Sequence, residues 1–567
     1  MPLRRGHPSI WRGLLPGLGI LRRYRREWLR LDLLAGLTVG AMLIPQSMAY
    51  AELAGMAPEY GFYAVIGALV VYALVGTSRH LGVGPEPGTA ILAATGVGAI
   101  AAGDGTRYVA LMAALALVVA AICIIAAIAR FGFLASALSK PVLVGYITGV
   151  GLTLLSSQIS AFSGVSISED NFFTRFRELA VELDGVHAAT LAVGAATLVF
   201  ILVLRRHAPR LPGALLGVLA ASLVVALLGD DSGVRLVGAI PGGLPLPQLP
   251  DVALADLGRL LPVAAGIAIV GYSDNVLTAR SIAVRKGYKV DANQELLALG
   301  LTNLSSGFTQ GFPLSSSASR TAVPAALGSK TQLVSLVAAA CVVLTLVGAG
   351  SLLGEIPRAA LAAVIVSAAI AIIDVAGYWS LWQVSREEFV LAVLAALGVI
   401  VFDVLTGVLI AVTLSIVVAL FRIARPHDAV LGDYPELDGW VEASTFPEAK
   451  TEPGLLVYRF DAPLFFMNSE RFQERVELLL AEMVGDQDWV VLDFEGIGTL
   501  DATALDGLKE LTDRLSHVGV KVVAVARPNV KVVARLRRAG LVAPEGPIWV
   551  FPTINSAVRT FRSRPRS

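Results

Sequence analysis

From about residue 33 to residue 422 the chain is cut by Gly, Pro and short polar turns into consecutive apolar segments, and no other feature limits its fold so strongly. Each segment approaches the roughly 20 apolar residues that a bilayer-spanning helix needs, fewer sufficing where a helix is broken. In hydrocarbon no water pairs the backbone, so an apolar segment of this kind has to be a helix. The reading predicts spans near 33–52, 60–76, 87–101, 108–129, 133–162, 188–204 and 213–228, then near 259–280, 293–309, 315–326, 331–353, 357–374, 388–403 and 405–422, about fourteen in all. Composition points the same way: 55% of the 567 residues are hydrophobic and 16% charged, with mean hydropathy +0.72, too apolar for a soluble protein of this size. A polytopic α-helical protein seated in the lipid bilayer is expected.

The same composition excludes several classes. Formal net charge is +1 and the Lys and Arg are spread through turns, so nucleic acid is not an expected partner. Cys123 and Cys341, the only cysteines, sit inside apolar runs as packing residues, with no spacing for a metal cluster or a disulfide framework. The sequence has no G-x-S-x-G, no Walker phosphate loop and no metal-ligand cluster, which argues against an enzyme, a cofactor or an ATP-driven pump. Residues 1–30 are basic, with an apolar stretch too short and interrupted for a signal peptide, and read as a cytoplasmic, membrane-skirting segment.

Charge also orients the chain, because Lys and Arg accumulate in cytoplasmic loops. With the N-terminus inside, alternate turns hold Arg79-His80, Arg130, Arg205 to Arg210, Arg280 to Lys289, Lys330 and Arg386, and Arg422 to Arg425 follow the last span. The opposite turns, around Asp104, Glu169 to Asp184 and Asp230 to Asp256, are mostly acidic, although Arg107, Arg175 and Arg177 fall there. Both termini of a cell (inner) membrane protein are thus predicted to be cytoplasmic.

Two segments are short and broken: the third, beginning at Gly82-Val83-Gly84-Pro85-Glu86-Pro87-Gly88-Thr89-Ala90, and the tenth, Gly311-Phe312-Pro313-Leu314-Ser315-Ser316-Ser317-Ala318-Ser319-Arg320-Thr321. They hold matching positions in two sets of seven spans. Seven is odd, so the second set enters the membrane from the opposite side, and the halves are inverted repeats. Paired Gly/Pro-interrupted segments of this kind mark the substrate site of secondary transporters, because irregular backbone at membrane depth must be buried or face a water-filled cavity. In the tenth, Pro and four serines lead into a helix start, where unpaired N–H groups and the helix dipole favour an anion and Arg320 adds positive charge.

After residue 425 charges become frequent and the long apolar runs stop. Strands are predicted at 455–460, 489–494, 520–526 and 548–551, with helices at 469–482, 502–518, 529–539 and 554–561. That alternation implies a soluble α/β domain. The expected domains are 1–30, the transmembrane transport domain 31–425 and the cytoplasmic domain 426–567.

Across nearly its whole length the chain resembles the sulfate permease (SulP) family, whose members end in a STAS domain. The resemblance rests on Pro45-Gln46-Ser47-Met48-Ala49-Tyr50, Pro58-Glu59-Tyr60-Gly61-Phe62-Tyr63, Gly76-Thr77-Ser78-Arg79-His80 and Gly84-Pro85 in the first half. In the second it rests on Gly271-Tyr272-Ser273-Asp274-Asn275, Asn293-Gln294-Glu295-Leu296, Asn303, Gly311-Phe312-Pro313 and Ser319-Arg320-Thr321. It implies fourteen spans as two inverted sevens, a mobile core domain against a gate domain, a homodimer, and carriage of sulfate, bicarbonate, chloride or dicarboxylates by symport or exchange.

Carried over by position, the resemblance implies a substrate site at Gln46 and Tyr50 of the first span, Glu86, Gly88, Thr89 and Ala90 at the start of the third, and Ser317, Ala318, Ser319 and Arg320 at the start of the tenth. Asp274 matches the eighth-span acidic position that coupled members use for a proton or sodium ion. A charge at mid-membrane costs about 2.5–3.5 kcal/mol on insertion scales, so its presence is itself a functional signal; a salt bridge to Arg320 is the structural alternative. Glu86 departs from the many relatives with an uncharged residue there. Beside an anion it would repel substrate unless protonated, so Glu86, Asp274 or both are expected to bind protons with substrate. Sodium held by Asp274 with Thr302 or serine oxygens is the alternative. The expected function is sulfate uptake by proton symport; a bicarbonate or dicarboxylate carrier is the second reading, and an anion-binding sensor acting through the STAS domain the third. In that domain Gly498-Thr499-Leu500-Asp501-Ala502-Thr503 matches the loop that in anti-sigma-factor antagonists carries a phosphorylated serine. Ala502 stands at that position, leaving Thr503 as a weak substitute and Asp501 as a helix cap.

Overall fold

A computed structural model describes residues 15–22, 24–136, 139–167, 171–208, 211–229, 232–402, 404–434, 436, 439–483, 488–544 and 546–563. Residues 1–14 and 23 of the expected N-terminal segment, and Glu169, Arg210 and Asp230 of the expected loops, lie outside the described residues. The chain divides into two compact units, Met1–Ser415 and Ile416–Ser567.

Each expected span carries a helix: α1 Leu29–Leu53, α2 Glu59–Val75, α3 Pro87–Ala101, α4 Gly105–Ile128, α5 Lys140–Ser157, α6 Ala188–His207 and α7 Gly213–Leu228 in the first set. The second set is α8 Leu254–Lys286, α9 Ala292–Phe308, α10 Ala318–Leu327, α11 Leu333–Gly348, α12 Arg358–Ile372, α13 Arg386–Val401 and α14 Val404–Ala424. Among the described residues six helices are long and apolar enough to cross a bilayer by themselves, and others are shorter, as expected of broken spans. The predicted span 133–162 is not one helix: a turn at Phe131–Ser136 precedes α5, and Ile159–Ser163 follows it separately. Pro141 stands at the start of α5, where its missing N–H costs nothing and its ring blocks continuation from the preceding turn.

Helix neighbours reveal an internal two-fold. α4 packs on α9 and α2 on α11; α1 packs on α11 and α8 on α4; α5 packs on α13 and α6 on α12. Exchanging each helix for its partner seven places along turns every pair into the next, as inverted repeats require. The pairs form two sets, α1–α4 with α8–α11 and α5–α7 with α12 and α13, which meet along α1 and α3. Small residues permit the closest approaches: Gly36 and Gly40, one turn apart on α1, face Val337 and Cys341 of α11, where an added Cβ would lie 2.5 Å and 2.7 Å from the facing Cβ atoms. Cys341 is therefore a packing residue.

The second unit carries a six-stranded sheet ordered β4-β3-β5-β6-β7-β8, with β3 Asp428–Tyr434, β4 Gly439–Glu442, β5 Leu455–Phe460, β6 Trp489–Asp493, β7 Val522–Ala526 and β8 Ile548–Phe551. β5 to β8 are parallel, and β3 and β4 add an antiparallel edge. α15 Ser469–Glu482, α16 Ala502–His517 and α17 Val530–Arg538 cover one face, and α18 Ile554–Arg562 the other. The sequence reading missed β3 and β4, because Gly432 and Asp433 interrupt the apolar alternation that marks a strand.

Candidate anion site

The two broken segments meet. β1 Val83–Gly84 pairs antiparallel with β2 Ser315–Ser316, Val83 opposite Ser316 and Gly84 opposite Ser315. Equivalent positions of the repeats thus pair across the two-fold, and the helix that follows each strand starts beside the other. Side chains of α9 fix both approaches. Asn303 accepts from Leu314 N at 2.8 Å and donates to Leu314 O at 3.0 Å and Leu299 O at 2.9 Å, while Ser306 donates to Phe312 O at 2.7 Å. Glu295, wholly buried, accepts from Tyr72, from the Thr77 hydroxyl and amide, and from Ser78 N, which locks the turn leading into β1. In the same turn His80 Nε2 faces Ser329 O and Nδ1 faces Tyr288 Oη, each at 3.0 Å. A nitrogen facing a carbonyl carries the proton, so in the neutral ring Nδ1 accepts from Tyr288; burial holds the imidazole below its usual 6.5.

The two helix starts differ. Glu86 caps α3, its carboxylate accepting from Thr89 N at 2.9 Å, while Thr89 Oγ1 donates back to Glu86 O at 3.1 Å. Ser317 precedes α10 without a side-chain cap; its hydroxyl lies 2.9 Å from that of Ser319 and its N–H donates to Gly82 O at 3.1 Å. The α3 start is therefore held by the chain's own carboxylate, and the α10 start is open to a ligand.

A cavity of about 390 Å³ lies at these starts. Of the expected site residues, Tyr50, Glu86, Gly88, Thr89, Ser317, Ala318, Ser319 and Asp274 line it. Gly271 brings α8 close, since an added Cβ there would lie 3.3 Å from Ser315 Cβ and 3.8 Å from Thr89 Cγ2. Gln46 lines an adjoining cavity of about 360 Å³ that shares Tyr50 and Ser319. Ala90 is wholly buried and lines neither.

Arg320 lines neither cavity. It is 1% exposed and bonds Gln46 Oε1 at 3.1 Å, its remaining guanidinium nitrogens unpartnered among the described residues. It adds positive field from behind the helix start and not by contact. No ion pair within 4.0 Å joins it to Asp274 among the described residues, so the salt-bridge alternative for Asp274 is not what the geometry shows. Thr302 donates to Leu299 O and lies outside the cavity wall.

Two polar or charged lining residues escaped the sequence reading. Tyr146 of α5 lines the cavity with a buried, unpartnered hydroxyl, and an aromatic in an apolar helix carries no sequence signal for that. Arg205 of α6 lines both cavities, although its basic cluster reads as a loop. A larger cavity, about 710 Å³, lies at the other end of α1, bordered by Glu52, Gln158, His187, Arg235 and Arg358. It touches neither helix start. In the second unit Asp501 caps α16 through Ala504 N at 2.8 Å and accepts from Phe466 N at 2.9 Å, which accounts for its place in the loop.

The profile of the sulfate permease family matches residues 29–395 and that of the STAS domain residues 446–557. A probable sulfate transporter of Mycobacterium tuberculosis is 45% identical over 553 residues, covering 97% of this chain and 99% of its own. The structure of the murine Solute Carrier 26 family member A9 anion transporter in the inward-facing state is similar in fold, with TM-score 0.90 and 24% identity over 99% of this chain and 96% of that one. The transmembrane domain of a cyanobacterium bicarbonate transporter aligns with TM-score 0.60 and 22% identity over 70% of this chain and 98% of that one. With its multi-pass helical unit and its C-terminal STAS domain, the chain belongs to the sulfate permease family of membrane anion transporters.

Proposed function

We propose that the protein takes up sulfate by proton symport across the cell (inner) membrane, as a homodimer with both termini cytoplasmic. The observation that carries the reading is an uncapped α10 start facing a cavity whose wall also holds two carboxylates, Glu86 and Asp274. Free N–H groups and the dipole at a helix start stabilise an anion. A dianion placed between two carboxylates is repelled, and taking up protons on them removes the repulsion. Sulfate and protons then favour each other's binding by the same factor, which is the linkage that symport requires. Neutralising Glu86 also loosens its hold on Thr89 N, opening the α3 start as a second donor set. Sulfate as the substrate is favoured by the 45% identity to the relative named above as a probable sulfate transporter.

The test is radiolabelled sulfate uptake into proteoliposomes with an inward proton gradient imposed or absent, and with excess bicarbonate, fumarate or chloride. Gradient-driven uptake that resists the competitors is expected, and Glu86→Gln and Asp274→Asn should each leave weakened, pH-independent uptake. Unchanged pH dependence in both variants would remove proton coupling. Carriage of a competitor in place of sulfate would discard the substrate and keep the site.

A further inference from the structure

The 390 Å³ and 360 Å³ cavities share Tyr50, Arg205, Ser319, Ala368 and Ala371, so they are two chambers of one path. Along α1 the second chamber is lined by Thr38, Met42, Gln46 and Tyr50, every fourth residue of one helix face, a stripe about 18 Å long at 1.5 Å rise per residue. It ends beside Leu327 at the finish of α10 and Gly213 at the start of α7, the same end at which α1 begins. The second chamber is therefore the passage between the anion site and the membrane face on which Arg205 and Arg206 lie.

Most of that passage is aliphatic, with Met42, Ile201, Val323 and Val364 in its wall. An anion stripped of water in an apolar passage loses free energy unless a partner replaces its hydration. Arg205 is the one Lys or Arg among the described residues that lines either chamber. It is exposed, and no ion pair holds it among the described residues. The ionisable groups sharing its chambers are Tyr50, Tyr146, Glu86 and Asp274. A guanidinium offers planar, paired donors that suit a tetrahedral oxyanion. Arg205 also stands on α6, in the helix set that does not carry Glu86, Asp274 or the α10 start. If the two sets move against each other during transport, Arg205 cannot travel with the anion.

We infer that Arg205 is a one-sided contact for the oxyanion, holding it at the mouth of the α6 face and setting affinity from that face alone. The inference rests on the transport reading. In proteoliposomes of known protein orientation, sulfate is varied on one face at a time while the opposite face is held saturated, and tracer exchange is followed. Arg205→Gln should raise half-saturation from the Arg205 face about tenfold, the loss of one charged hydrogen bond, and change the opposite face by less than about twofold on the same scale. Arg205→Lys should fall between, and Arg206→Gln, whose side chain lines neither chamber, should match the wild type. Equal shifts on both faces, or none in either Arg205 variant while the wild type exchanges sulfate, would overturn the inference. A wild type that exchanges a different anion and not sulfate fails the substrate reading alone, and the same two-faced comparison with that anion decides the role of Arg205.

Discussion

Tyr146 carries a hydroxyl that has no hydrogen-bond partner among the described residues although its ring is buried in the wall of the central cavity. Leaving a buried donor unpaired costs about 1–3 kcal/mol, and a ligand that accepts from it recovers part of that cost. Tyr146→Phe is therefore expected to leave thermal stability unchanged or slightly raised while weakening sulfate binding several-fold, read by calorimetric titration and by the unfolding midpoint of the same sample. A stability loss with unaltered binding would make the hydroxyl a structural group. Arg320 teaches the converse. Its charge and its place at a helix start were legible in the sequence, but whether the guanidinium pointed into the cavity or toward Gln46 depended on how Gly82 and Gly84 pack behind it.

At the scale of elements, the breaks in the third and tenth spans could be read from Gly and Pro, because those residues cannot continue an apolar helix without leaving backbone groups unpaired. What could not be read was how the freed groups are satisfied. Two strands of two residues each pair across the repeats, and Asn303, from a third helix, binds both backbone atoms of Leu314. Leu314 lies eleven residues from Asn303, and Val83 lies two hundred and thirty-three residues from its strand partner Ser316, distances over which local pattern says nothing. Asn303→Ala should strand Leu314 N and O in the interior at a cost of about 1–3 kcal/mol. Its expected signature is a lower unfolding midpoint together with lost sulfate binding, since the α10 start would no longer be held. Full binding at normal affinity would show that β2 keeps its place without Asn303.

The whole molecule consists of two units with separate cores, one built from α-helices and one around the STAS sheet. In the STAS unit Asp493, buried at the end of β6, is held by Arg527 at 3.0 Å and 2.5 Å. Arg527 is 31% exposed and also pairs with Glu495. Asp493→Ala should therefore cost about 1–3 kcal/mol, short of the 3–5 typical when a fully buried partner is stranded. In scanning calorimetry of the full chain, one transition should move down while sulfate binding by the helical unit stays intact. A common shift of every transition would mean that the two cores unfold as one.

Hydrophobic length and Gly/Pro punctuation, by themselves, determined the order of the apolar helices, the two-fold repetition, the paired broken spans and the α/β character of the C-terminal unit. These follow from the sequence because a bilayer admits few backbone solutions and because local periodicity reports local structure. The tertiary structure alone decided which of the named residues share a cavity. It set Glu86 on the N–H groups of its own helix, left the α10 start open, turned Arg320 toward Gln46, and brought Tyr146 and Arg205 to the wall from helices whose sequence gives no hint of a site. Direction and contact of a side chain depend on packing between helices distant in the chain, and apolar segments of similar composition do not encode that packing in any local pattern.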